Sequence, residues 1–125
     1  MLEIIACGSY RRGRETCGDM DILITRKDDR PITGMLHRLV ERLVECQFIT
    51  DTLVMHKQSS HGSETFMGIC QIEPASLHRR LDIKVYPREQ FGFALLYFTG
   101  SDHFNRSMRL FARKKGLSLS DHGLN

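Results

Sequence analysis

A chain of 125 residues, 41% of them hydrophobic, suits one compact core and is too short for a complete multidomain enzyme. A net charge of +3 and a pI near 8.8 permit a polyanionic partner without requiring one, and no apolar run is long enough to span a bilayer. The four cysteines, Cys7, Cys17, Cys46 and Cys70, include no close pair, the six histidines lack zinc-type spacing, and no secretory signal is legible, which points to reduced thiols in an intracellular protein without structural zinc.

The first element expected is a buried strand over residues 2–7, LEIIAC, which delivers a turn at Gly8-Ser9. Ser9 is expected to cap a short helical turn over residues 9–13, where exposed N–H groups and a hydroxyl would cradle phosphate oxygens. Arg12 would add a guanidinium fork for a triphosphate, while Arg11 and Arg14 are expected to be solvated. Residues 19–25, DMDILIT, read as a strand buried at one end and open to a cleft at the other. Asp19 and Asp21, two residues apart, then point to one side, where a divalent cation would hold them together.

A helix is expected from Pro31, because Ile32, Met35, Leu36, Leu39, Val40, Leu43 and Val44 recur at three- and four-residue spacing. Strands over residues 48–55 and 65–72 follow, joined by a polar connection expected to be a mobile, exposed hairpin loop. The strand over 81–86, LDIKVY, alternates Leu81, Ile83 and Val85 on one side with Asp82, Lys84 and Tyr86 on the other, so Asp82 would join the carboxylate edge. Pro87 is expected to start a helix that runs to Phe98, and Thr99-Gly100-Ser101 separates it from a final helix over about 102–115. Together these elements form an α+β domain with a mixed sheet flanked by helices.

Three carboxylates in one cleft repel: a pair about 4 Å apart costs about 4 kcal/mol at an effective dielectric of about 20. Two magnesium ions would relieve the repulsion and organise a substrate phosphate, with manganese as the alternative cation. The plainer reading makes Asp19 and Asp21 solvated strand-start residues and Asp82 an edge charge. Arg80 falls on the strand face of Asp82 and would hold that carboxylate in position, or form an ordinary structural ion pair. On the last helix Asn105, Arg109 and Arg113 form a polar stripe that would track a nucleic acid or be a solvated face. Tyr97 and Phe98 would press on a sugar or base, or belong to the core.

In order, GSYRRG, GDMDILIT, RRLDI, YFTGSDHFNRSMR and KKGLSLSDHGL resemble the X family of DNA polymerases, in its beta/lambda-like branch, over almost the whole chain. The resemblance implies a nucleotidyltransferase palm over residues 1–98 and the start of a carboxy-terminal nucleotide-closing subdomain over 99–125. It implies that Asp19, Asp21 and Asp82 are catalytic and bind two magnesium ions, and that Asp82 helps activate a primer 3′-hydroxyl for attack on the α-phosphate of a dNTP. Gly8, Ser9, Arg12 and Gly18 would then serve the triphosphate, Tyr97, Phe98 and Gly100 the sugar, Asn105 the incoming nucleotide and Arg109 the template. The partners implied are a dNTP and primer-template or gapped DNA, with repair proteins engaged through parts beyond this chain and no membrane. The setting implied is the nucleus, in gap filling during base excision repair and end joining. Against the family pattern the chain is expected to lack the lyase domain, the helix-hairpin-helix region, an upstream triphosphate-binding arginine and the rest of the carboxy-terminal subdomain. A noncatalytic nucleotide- or protein-binding module is therefore the alternative function, and a nucleotidyltransferase acting on a small hydroxyl acceptor is a third.

Overall fold

A computed structural model describes residues 1–56 and 59–125. Its elements run β1 (Leu2–Ala6), α1 (Gly8–Arg11), β2 (Asp19–Arg26), α2 (Met35–Glu45), β3 (Ile49–His56), β4 (Glu64–Cys70), β5 (Arg79–Val85), a 3-10 turn (Arg88–Gln90), α3 (Phe91–Thr99) and α4 (Asp102–Lys114). The strands form one mixed sheet in the order β1-β2-β5-β4-β3, in which β2 and β5 are parallel and every other pair is antiparallel. The fold is α+β, as the sequence implied.

Strand alternation divides the core between the two faces of the sheet. Ile24, Leu81, Ile83, Val85 and Phe66 bury one face with Leu36 and Val40 of α2. Leu23 and Tyr86 bury the other with Cys7 and Ala94, so α3 closes the side opposite α2. The division expected for LDIKVY holds, since Asp82, Lys84 and Tyr86 follow the second face while Leu81, Ile83 and Val85 follow the first.

Several element starts differ from expectation. The helix expected from Pro31 begins at Met35, after Gly34 in the left-handed region at φ 81°, and Ile32 is buried ahead of the helix. Pro87 introduces the 3-10 turn, and α3 proper begins at Phe91. Ser9 lies inside α1 and does not cap it: Cys7 occupies the cap position, with no side-chain cap bond. Of the connection expected to be a mobile hairpin loop, Lys57 and Gln58 lie outside the described residues. The remainder is a turn in which the Ser59 hydroxyl accepts from the Ser63 N–H at 3.2 Å.

After α4 the chain turns back on itself through a bridge between Leu119 and Leu124. Asp121 accepts a hydrogen bond from the Tyr86 hydroxyl, His122 Nδ1 lies 2.8 Å from Gln90 Oε1, and the rings of His61 and His122 stack 4.2 Å apart. Side chains from three separate stretches thereby fasten residues 118–125 to the end of β5.

Candidate active site

The parallel pairing of β2 with β5 sets Asp21 directly opposite Asp82 and Asp19 opposite Arg80. All four residues follow one sheet face, because each pair differs by two positions along its strand. Arg80 Nη2 donates to Asp82 Oδ1 at 3.0 Å, while the buried Arg80 Nε has no hydrogen-bond partner among the described residues. Burial pushes the Asp21 carboxyl up from its ordinary range; Asp82 and Asp19 push the same way, against the pull of Lys84 and Arg80. Lys84 holds its ammonium 4.4 Å from the centre of the Phe98 ring.

Gly8 packs against the Asp21 carboxylate. Its φ of +65° favours glycine, and a Cβ there would collide with Asp21 Oδ2. The Cys7 N–H donates to the Asp21 carbonyl at 2.7 Å, so α1 is stitched to β2 just where the carboxylates emerge. Gly8, Ser9, Arg12, Gly18, Asp19 and Asp21 form one wall of a cavity of about 560 Å³. Tyr97, Phe98, Gly100 and Asn105 form the opposite wall, together with Ser101, Asp102 and His103. Ten of the residues singled out in the sequence thus share one cleft.

Asp82, Arg80 and Arg109 do not line it. Asp82 is nearly buried beside Asp21 and held by Arg80. Arg109 sits behind Tyr97, with its guanidinium 4.8 Å from the ring centre, and shares a small pocket with Asn105 and Met108. Asn105 donates from Nδ2 to the Tyr97 carbonyl at 2.8 Å, which ties α4 to the end of α3. Arg11 is exposed, as expected, and also donates to Thr99 Oγ1 at 3.0 Å, because α1 lies against the end of α3. Ser101, Asp102 and His103 carried one sequence signal, their place at the start of the last helix, where the Ser101 hydroxyl accepts from the Phe104 N–H.

Among the described residues no group of three or more His, Cys, Asp or Glu side chains is arranged to hold a metal ion as it stands. The donor set nevertheless fits a hard divalent cation: Asp19, Asp21 and Asp82 offer only oxygens, and a cation would relieve the burial and like-charge repulsion that raise Asp21. No described helix is long and apolar enough to cross a membrane.

Residues 1–88 match the family model for the DNA polymerase beta palm, and residues 94–125 match that for the DNA polymerase beta thumb. DNA polymerase lambda of Rattus norvegicus is 50% identical over 121 residues, covering 96% of this chain and 21% of the relative. DNA polymerase lambda of Arabidopsis thaliana is 42% identical over 127 residues, covering 98% of this chain and 24% of the relative. The chain therefore spans less than a quarter of the length of these curated relatives.

Proposed function

The chain belongs to the X family of DNA polymerases, in its beta/lambda-like branch, and we propose that its cleft is the nucleotidyl-transfer centre that adds a dNMP from a dNTP to a primer 3′-hydroxyl. The observation that carries this reading is the opposition of Asp82 to Asp21, which lines a cleft walled by the Gly8-Ser9 turn and the end of α3. Ser9, Arg12 and Gly18 bind the β- and γ-phosphates, with Gly8 supporting the turn. Tyr97, Phe98 and Gly100 receive the sugar, Asn105 fixes the incoming nucleotide, and Arg109 lies toward the templating base.

Asp19, Asp21 and Asp82 would hold two magnesium ions, which would supply charge neutralisation to the triphosphate and the reacting oxygens. Asp82 faces the primer hydroxyl and favours loss of its proton, and Arg80 holds the Asp82 carboxylate in place. In-line transfer gains chiefly from such positioning.

The division between the palm, residues 1–98, and the start of the carboxy-terminal subdomain, residues 99–125, falls at the end of α3. The break between α3 and α4 supports this division, although the thumb match begins within α3. The biological role is gap filling in nuclear DNA repair, on gapped or primer-template DNA. The test is primer extension on a short-gapped duplex with dNTPs and magnesium, by this chain and by a form joined to the DNA-gripping domains of a relative. Extension that disappears in Asp82→Ala supports the reading. Tight nucleotide binding without extension by either form would favour the noncatalytic module.

A further inference from the structure

α1 is four residues long and has no side-chain cap. A helix so short is unstable by itself, so contacts with other elements must fix its orientation. Two consecutive arginines provide such contacts, and both converge on Thr99, the last residue of α3. Arg11 Nη1 donates to the Thr99 hydroxyl at 3.0 Å, and Arg12 Nη1 donates to the Thr99 carbonyl at 2.9 Å. The Thr99 hydroxyl in turn donates to the Leu95 carbonyl at 2.6 Å, which turns its oxygen lone pairs toward Arg11.

The two arginines reach Thr99 from different sides. Arg12 lines the cleft, whereas Arg11 lines a separate pocket behind it, with Leu95, Leu96 and Phe104. Gly100 follows Thr99 at φ +69°, and a Cβ on it would come within 3.1 Å of Arg12 Nη1. The spacing between the two walls is therefore set at Thr99.

We propose that Arg11 and Thr99 form a positioning clamp that holds the Ser9–Arg12 turn against the Gly100 wall, and so sets nucleotide affinity without touching the nucleotide. This inference rests on the nucleotide-binding reading of the cleft. With the clamp open, Arg12 keeps its carbonyl bond to Thr99 but loses the second tie that fixes the angle of α1, and the phosphate-facing groups spread over more orientations.

The test is calorimetry of the 125-residue chain with magnesium and a nonhydrolysable dNTP, for Thr99→Val, Thr99→Ser, Arg11→Ala, Arg11→Lys and the Thr99→Val/Arg11→Ala double variant. Thr99→Val and Arg11→Ala should each weaken binding about fivefold, the cost of one hydrogen bond. The double variant should lose no more than either single one. Thr99→Ser, which keeps the hydroxyl, should bind within about twofold of the parent, and Arg11→Lys should fall between parent and Arg11→Ala. Melting temperatures should not follow this order, because the clamp acts on the cleft and not on either core. Parent-like binding by Thr99→Val and Arg11→Ala, or losses that add in the double variant, overturns the clamp alone. Absence of binding by the parent chain overturns the nucleotide reading, and the clamp with it.

Discussion

Asp21 and Asp82 stand directly opposite one another on the parallel strands β2 and β5, while Arg80 bonds to Asp82 and leaves Asp21 to the cleft. Without a cation this is an unfavourable arrangement for Asp21, whose charged form is opposed by burial and by two neighbouring carboxylates. Asp21→Asn should therefore raise the melting temperature in cation-free buffer by about 4 °C, corresponding to about 1 kcal/mol in a domain of this size. Magnesium should raise the melting temperature of the parent chain and leave that of the variant nearly unchanged. Calorimetric melting with and without magnesium checks both expectations.

Gly8→Ala places a methyl group against the Asp21 carboxylate from a backbone conformation at φ +65°. The conformation alone costs a non-glycine residue about 1 kcal/mol, and the collision adds to it, so a loss of about 2 kcal/mol is expected in urea unfolding. Because relief of the collision moves either α1 or Asp21, nucleotide binding should fall as well.

Glu64 is almost fully buried on β4, and its Oε1 has no hydrogen-bond partner among the described residues. Burial pushes its carboxyl up, against a hydrogen bond from the Gly34 N–H and the charges of Arg38 and His37. A carboxyl whose folded pKa lies above its unfolded value contributes stability that is present below the unfolded value and lost as pH rises through the folded one. Glu64→Gln should therefore stabilise the protein at pH 7 by about 1 kcal/mol, the desolvation cost of a buried polar atom. The advantage should shrink toward acid pH. Urea unfolding of both proteins from pH 3 to pH 8 checks the sign and the window.

Tyr86→Phe removes the hydroxyl that donates to Asp121 and keeps the ring that packs on Phe98 and His122. The bond to a carboxylate is worth about 2 kcal/mol, and its loss falls on the fold-back of residues 118–125. Amide hydrogen exchange should accelerate at Ser118, Ser120 and Asn125, whose N–H groups bond within that segment, while Ile24 and Ile83 in the sheet keep their protection. Burial and Asp121 both push the Tyr86 phenol up, so it stays a donor throughout the neutral range.

Local pattern carried much of this molecule. The alternation in LDIKVY placed Asp82, Lys84 and Tyr86 on one sheet face because side-chain direction in a strand follows from position alone. Gly8, Ser9, Asp19, Asp21 and Gly100 were legible because glycines at turns and paired carboxylates are recognisable residue by residue. The insertion of β5 between β2 and β4 was not legible, since it joins stretches some 60 residues apart through backbone bonds that leave no local signature. The start of α2 is not legible, because Ile32 fits the helical period while reaching the core from a turn, in which Met35 N–H bonds to the Ile32 carbonyl. The partner of Arg11, the Thr99 hydroxyl, is not legible in the sequence, because only the docking of α1 on α3 brings the two together.

The most direct measurement is single-turnover addition of one dNMP to a one-nucleotide gapped duplex, with magnesium and excess protein, comparing the parent chain with Asp19→Asn, Asp21→Asn and Asp82→Asn. The opposed carboxylates predict addition by the parent and a loss of at least about a hundredfold in each variant, the scale of removing an electrostatic group that acts in the transition state. Addition at parental rate by Asp21→Asn and Asp82→Asn would contradict the assignment of catalysis to this carboxylate pair.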